Sequence, residues 1–216
     1  MTPLTEQILK RGLADRALTA NQIGRLLNGS NARRYGQVNR ALKAGELINP
    51  RRGLYVVNPA YRKQSLHPFV LAQQMSPGSY VSAESALAFH GWIPESVHTV
   101  ASITHGGKSV TYQHDMVGQF EFRRVTTQTG YFLQSVARCE LQQQVALVAE
   151  PLRALLDLVY LRKFEWRGLD FLTQGLRIDE QRLVSSTRAD VEQLTLVYKG
   201  KREQAFLAAL HGALDP

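Results

Sequence analysis

The chain carries one cysteine, Cys139, in 216 residues. A single thiol excludes an intrachain disulfide and leaves no cysteine cluster to hold zinc, so Cys139 reads as a small apolar residue. Long apolar runs are missing as well: none approaches the ~20 residues that cross a bilayer. The opening MTPLTEQILKRG lacks the apolar centre of a secretion signal, so a cytoplasmic protein with no membrane partner is expected. Metal-ligand spacing is also wanting. His67, His90, His98, His105, His114 and His211 are scattered without an HExxH or similar pattern. His90, beside Gly91, reads as a residue packed at a helix end. His105-Gly-Gly-Lys108 lacks the spacing and following helix of a phosphate loop and reads as a hairpin turn. No catalytic residue, metal or cofactor is expected.

Acidic residues are scarce in the first third. Up to Lys63 the chain has 12 Lys and Arg against 3 Asp and Glu, whereas the remainder has 14 against 15. The whole net charge of +8 therefore lies in that first stretch. Cationic side chains gain free energy by displacing counterions from a polyanion, so this asymmetry points to a phosphate-binding module joined to a near-neutral domain. At 44% hydrophobic and 20% charged residues the composition is that of a globular chain. Its length allows two ordinary domains, with boundaries expected at 1–63 and 68–216.

The first stretch reads as three helices and a hairpin. Leu4, Ile8, Leu9 and Leu13 mark a short helix ending near Gly12. Thr19-Ala-Asn-Gln22 matches a capping box, so a second helix starts near Ala20, shows Ile23, Leu26 and Leu27 on one side, and ends at Asn28-Gly29. Ser30 or Asn31 caps a third helix over about Ala32 to Ala44, with Tyr35, Val38, Ala41 and Leu42 expected as its buried stripe. Leu47-Ile48 and Leu54 to Val57 then form strands around a tip of Asn49, Pro50, Arg51, Arg52 and Gly53. This succession predicts a winged helix-turn-helix.

In that arrangement the third helix enters the major groove and the hairpin follows the phosphates. Arg33, Arg34, Gln37 and Arg40 are then base-edge and phosphate contacts, with Arg51 and Arg52 on the wing. Arginine bonds guanine bidentately and glutamine bonds adenine, so Arg33 and Gln37 are the candidates for readout. Lys43, a turn further along, meets a phosphate or only solvent. A winged helix serving as a protein-interaction module is the alternative from another class.

Asn58 to His67 has linker character, and Pro68 suits the first position of a helix carrying Phe69, Leu71, Ala72 and Met75. Ser82 is placed as the cap of the next helix, which Gly91 stops. Strands are expected at Thr99 to Thr104, Ser109 to His114, Gln119 to Val125, around Tyr131 to Leu133, and at Gln144 to Val148. Leu152, Leu155, Leu156, Val159 and Tyr160 return to helical spacing, and helices around Val191 to Tyr198 and Ala205 to Leu210 complete the chain. The second domain is expected to be α+β, with a small, largely antiparallel sheet and C-terminal helices. Asp115 and Glu121 with Arg123 form the one pattern compatible with Mg²⁺-dependent nuclease chemistry, kept as a remote alternative. Glu84, Glu95, Glu140 and Glu150 read as solvated charges or helix starts.

Gly78 to Glu95, GSYVSAESALAFHGWIPE, resembles the signature of AbiEi-type antitoxins, the DNA-binding members of bacterial type IV toxin-antitoxin systems. Ala149 to Leu161, AEPLRALLDLVYL, is similar to a helix of that family, and GELINPRRGLYVV matches the end of its winged helix. In the later motif Glu150 precedes Pro151, and Arg153 stands in the usual lysine region. The resemblance implies an N-terminal domain that binds operator inverted repeats in double-stranded DNA and autorepresses its operon. It further implies a second domain that counters a nucleotidyltransferase-like toxin. Basic positions carried over from the family are Arg33, Arg34, Arg40, Arg51 and Arg52. A monomer that pairs on DNA is compatible with this reading, as is a standalone regulator without antitoxin activity.

Overall fold

A computed structural model describes residues 1–186 and 188–214. The chain is α+β, with a three-stranded antiparallel sheet near the start and a six-stranded sheet after it. The first 57 residues run α1 (Pro3–Lys10), β1 (Leu18–Thr19), α2 (Ala20–Leu26), α3 (Asn31–Lys43), β2 (Leu47–Arg51) and β3 (Leu54–Val57). Local chemistry accounts for the boundaries. The Thr19 hydroxyl accepts the Gln22 N–H while the Gln22 side chain accepts the Thr19 N–H, a complete capping box at the start of α2. Gly29 takes the left-handed φ of +101° between α2 and α3, and the Ser30 hydroxyl then accepts the Arg33 N–H at 3.4 Å.

The three strands lie in the order β1-β3-β2. β2 carries one more residue than β3 between the pairs Ile48↔Val56 and Arg51↔Leu54, a bulge at Asn49-Pro50 where proline has no N–H to donate. Asn49 Nδ2 donates to the carbonyls of Arg51 (2.6 Å) and Leu54 (2.7 Å), closing the bulge from within. The Gly53 carbonyl at the tip accepts the Ala20 N–H at 2.9 Å, which ties the hairpin to the start of α2.

Both faces of this sheet are buried. Leu18, Leu47 and Val57 pack with Leu4, Ile8, Ile23, Val38 and Ala41 in the helical core. Ile48, Leu54 and Val56, on the opposite face, belong to the core of the rest of the chain. Asn58 to His67 is held from both sides: the Lys63 and Gln64 N–H groups donate to Asp15, and the Ser65 hydroxyl donates to Gln142 at 2.6 Å.

Beyond it come α4 (Pro68–Met75), β4 (Tyr80–Val81), α5 (Ala83–Phe89), β5 (Thr99–Thr104), β6 (Val110–His114) and β7 (Gly118–Arg124). They are followed by β8 (Val136–Leu141), β9 (Gln144–Ala149), α6 (Pro151–Arg162), a π-helical turn at Phe171–Gly175, α7 (Glu180–Val184), α8 (Arg188–Thr195) and α9 (Lys201–Leu214). The sheet order is β6-β7-β5-β4-β9-β8. Its β4–β9 and β5–β7 pairs are parallel, so the expectation of a largely antiparallel sheet is corrected to a mixed one. The reason is that β7 rather than β6 lies beside β5, and the two-residue β4 inserts between β5 and β9. Tyr131 to Leu133 forms turns rather than the expected strand, because the carbonyls of Tyr131, Phe132 and Gln134 all accept from Arg153.

Arg153 and Asp157 lie one turn apart on α6, each at 0% exposure. All five guanidinium N–H groups find acceptors: Nε bonds Asp157, Nη1 bonds the Tyr131 and Gln134 carbonyls, and Nη2 bonds Tyr80 Oη and the Phe132 carbonyl. Asp157 also accepts the hydroxyls of Tyr80 (2.9 Å), Ser82 (2.7 Å) and Tyr198 (2.6 Å). Burial and the Asp157 charge push both tyrosine hydroxyls well above their ordinary pKa, which keeps them as donors.

Two stability predictions follow from this packing. Asp157→Ala leaves a buried guanidinium uncompensated and should cost about 3–5 kcal/mol in urea unfolding. Ile48→Ala should cost about 2–5 kcal/mol. It should also shift the transition reported by tryptophan fluorescence, although Trp92 and Trp166 both lie outside the first 63 residues. An unchanged fluorescence transition would contradict a shared core.

Candidate nucleic-acid interface

Helix α3 presents two unlike sides. At about 3.6 residues per turn, Arg33, Gln37 and Arg40 cluster on one side, flanked by Gly36 and Lys43. Arg33, Arg40 and Lys43 are exposed and Gln37 is half-buried, while Val38 and Ala41 seal the adjoining side against the helical core. Arg34 points elsewhere. It is half-buried and lines a groove of about 570 Å³ with Gly24 and Arg25 of α2 and Tyr55 of β3. Its Nε is buried with no hydrogen-bond partner.

Tyr35 departs from expectation. Placed in the buried stripe by its spacing, it is 70% exposed at the rim of the same groove. The stripe is narrower than four residues because α3 rests on α1 and β2, and Val38 and Ala41 occupy that contact.

On the hairpin, Arg52 is exposed and Arg51 is half-buried, its Nη1 turned to the Arg52 carbonyl at 3.4 Å. The tip is a tight turn bound to α2 through Gly53 and Ala20, so it projects little beyond the sheet. Among the described residues, none of Arg33, Arg34, Arg40, Lys43, Arg51 and Arg52 takes part in a salt bridge. Two of the three nearby carboxylates are committed elsewhere. Asp15 accepts backbone N–H groups of Lys63 and Gln64, and Glu46 is buried. The positive potential of α3 is therefore little offset from within the protein.

Two glycines shape the cationic side. A Cβ on Gly29 would lie 2.9 Å from Arg33 Cδ, besides straining a left-handed backbone, so Arg33 folds over a position that only glycine leaves open. Gly36, with no atom nearer than Arg40 Nη1 at 3.9 Å from a built Cβ, leaves the middle of the exposed side flat. A mid-helix glycine costs roughly 1 kcal/mol against alanine, so this flatness has an energetic cost that packing does not explain.

Glu46 fixes where α3 ends. Its carboxylate accepts the Thr2 N–H at 2.8 and 3.0 Å and the Thr2 hydroxyl at 2.6 Å, clamping the start of α1 to the turn between α3 and β2. Burial acts to raise its pKa, but the hydrogen bonds from Thr2 and Thr5 outweigh that and hold it at about 2, below the ordinary 4.5.

In the second half, Glu121 pairs with Arg123 on its own strand, and Asp115 sits in the turn between β6 and β7. No group of three or more His, Cys, Asp or Glu side chains suited to a metal ion occurs among the described residues. His90 Nε2 bonds the Ala149 carbonyl at 2.9 Å, and burial lowers its pKa. No helix among the described residues is long and apolar enough to cross a membrane.

Compared with known families and curated proteins, the chain matches no family model and no curated protein. Residues 78–95 and 149–161 meet in space. Tyr80 and Ser82 of the first bond Arg153 and Asp157 of the second. Ser82, expected as a helix cap, makes no cap hydrogen bond because its hydroxyl is given to Asp157. Sequence reasoning missed this buried network. The signal was an Arg and an Asp four apart inside the apolar run LRALLDLV, where neither charge could remain without a partner.

The Glu46 clamp makes a pH-dependent prediction. A carboxyl whose folded pKa is depressed contributes stability that is complete above its unfolded pKa and lost as pH falls through the folded value. Glu46→Gln should therefore be less stable than the parent at neutral pH by about 1.5–3 kcal/mol. That gap should close as pH falls from 4.5 toward 2 in parallel unfolding titrations. A gap independent of pH would contradict the assignment.

Proposed function

We propose that the chain is a sequence-specific double-stranded DNA-binding regulator whose first 57 residues act as a winged helix-turn-helix. The observation that carries the reading is the exposed side of α3, where Arg33, Gln37 and Arg40 stand together with no salt bridge among the described residues. The order helix, strand, helix, helix, strand, strand, with β1 against β3, is the one a winged helix requires, and it supports the same reading. Arg33 and Gln37 are the base-edge contacts in this proposal, Arg40 and Lys43 the helix's phosphate contacts, and Arg52 the leading wing contact. Arg34, turned into the groove beside Tyr35, contacts DNA from the flank, and Arg51 buttresses the tip.

Resemblance of Gly78 to Glu95 and Ala149 to Leu161 to AbiEi-type antitoxins extends the proposal to autorepression at inverted repeats and to neutralisation of a nucleotidyltransferase-like toxin. Co-expression with the product of the adjacent gene tests that extension. It fails if the product is harmless alone or remains lethal in the presence of this protein.

Binding to the chain's own upstream region, followed by fluorescence anisotropy, should weaken steeply with salt, at about 0.9 of a logarithm in affinity per logarithm of salt for each phosphate contacted. Arg33→Ala should cost about 1–3 kcal/mol and relax discrimination at one base position, whereas Arg40→Ala should weaken all sequences alike and flatten the salt slope by about one. Gly36→Leu should abolish binding and leave the circular dichroism spectrum unchanged. Salt-insensitive binding, or full affinity in Gly36→Leu, would defeat the reading and favour a protein-interaction module.

A further inference from the structure

The β8 edge closes one side of the six-stranded sheet, and among the described residues its only strand partner is β9. Which of its backbone groups face outward follows from the hairpin. Gln142 and Gln143 both have positive φ, 51° and 63°, the signature of a two-residue turn in which the flanking Leu141 and Gln144 exchange hydrogen bonds. At the other end, the Glu150 N–H donates to the Ser135 carbonyl at 2.9 Å, in the same register. Hydrogen-bonded and open pairs alternate along an antiparallel ladder. Ala137, Cys139 and Leu141 therefore direct their N–H and C=O groups to β9, while Arg138 and Glu140 direct theirs away from the sheet.

The side chains alternate as well. Leu141 is buried, Cys139 is half-buried and packs against the core, and Arg138 and Glu140 are exposed on the other face. Neither Arg138 nor Glu140 forms a salt bridge among the described residues. The edge thus offers a short row of open backbone groups beside two unpaired charges of opposite sign.

We propose that this edge pairs with the β8 edge of a second copy of the chain, antiparallel and about a two-fold axis through Cys139. An axis through Cys139 places Arg138 opposite the partner's Glu140 and Glu140 opposite the partner's Arg138. Both are outward-facing positions, so the two pairs exchange four backbone hydrogen bonds and two ion pairs. An axis through Arg138 or Glu140 would instead set like charges face to face at the centre, and an axis between residues would oppose outward to inward groups. Only the register centred on Cys139 satisfies the backbone and both charges.

The arrangement makes one sheet of twelve strands from two copies of six. It is an isologous contact, self-complementary as a closed two-fold dimer must be. The β8–β9 hairpin is a firm platform for it, because Gln142, Gln143 and Gln144 bond Ser65 and Gln64 at its turn. The pairing also gives two copies of the cationic side of α3 a two-fold relation.

The register carries its own probe. The two Cys139 residues form an open pair, with Cα atoms about 4.5 Å apart, within the range of about 4.4–6.8 Å that a disulfide spans. Cys139 is the only cysteine, so any disulfide-linked dimer joins these two residues. Burial and the neighbouring Glu150 charge raise the thiol pKa, so a catalytic oxidant is needed to reveal it.

The test uses the full chain, without DNA, at micromolar concentration with copper-phenanthroline, read on non-reducing gels and by sedimentation velocity. A disulfide-linked dimer is expected from the parent. Arg138→Glu and Glu140→Arg singly turn both attractive pairs into repulsive ones, and each should lower cross-linking and self-association by roughly tenfold. The double variant Arg138→Glu with Glu140→Arg should restore both. These positions are exposed, and circular dichroism checks that each variant folds. Failure of the parent to cross-link or self-associate would overturn the proposal, as would cross-linking indifferent to either charge reversal, or a double variant no better than the singles. Since no DNA is present, each outcome is independent of whether α3 binds it.

Discussion

Arg153 and Asp157 meet on α6 where water cannot reach either, and the second half of the chain is arranged around that fact. Removing an ion pair from water costs several kcal/mol per charge, an expense recovered only when every remaining donor and acceptor finds a partner. The partners come from four separate places: Tyr80 and Ser82 around β4, the Tyr131 to Gln134 turns, α6 itself, and Tyr198 after α8. Tyr80 also explains why a strand of two residues persists in the middle of a sheet. Its backbone pairs with β5, and its hydroxyl is shared between Arg153 and Asp157. Loss of one partner leaves a buried charge or hydroxyl exposed to no solvent, so segments far apart in sequence stand or fall together.

The three-stranded sheet does comparable work for the first half. With Leu47 and Val57 turned toward the helices and Ile48 and Val56 toward the larger core, it is a wall common to two interiors. A cationic helix built on such a wall is held rigidly relative to everything behind it. Asp15 and Ser65, bonding along the 58–67 segment, tighten that attachment. The proposed DNA-facing side of α3 and the β8 edge therefore belong to one framework, and the β8–β9 hairpin is joined to the same connecting segment.

Much of the first half was legible because its signals are local. The Thr19 capping box, the left-handed Gly29 and the Ser30 cap act within a few residues of themselves, and each appears where the pattern placed it. Pro68 likewise opens α4, and the strands at Thr99 to Thr104 and Gln144 to Ala149 fall within a residue or so of expectation. Tyr35 was misplaced because helical spacing defines a direction, not the width of the neighbour that covers it. β1 and β4, at two residues each, are too short to carry an alternation of their own. β8 went unseen for a related reason: Arg138 and Glu140 interrupt its apolar residues, and only pairing with β9 makes it a strand.

By itself the sequence determined the charge division at Lys63, the caps and turns that bound the first three helices, and the apolar stripe of α6. These depend on composition and on contacts between residues a few positions apart, which any single chain displays in full. Tertiary structure alone decided that the six-stranded sheet is mixed, that Arg34 and Tyr35 face a groove away from Arg33 and Arg40, and that Arg153 and Asp157 draw Tyr80 and Tyr198 together. Each of those outcomes rests on what lies opposite a residue, and burial from tens of residues away leaves no mark on the local pattern.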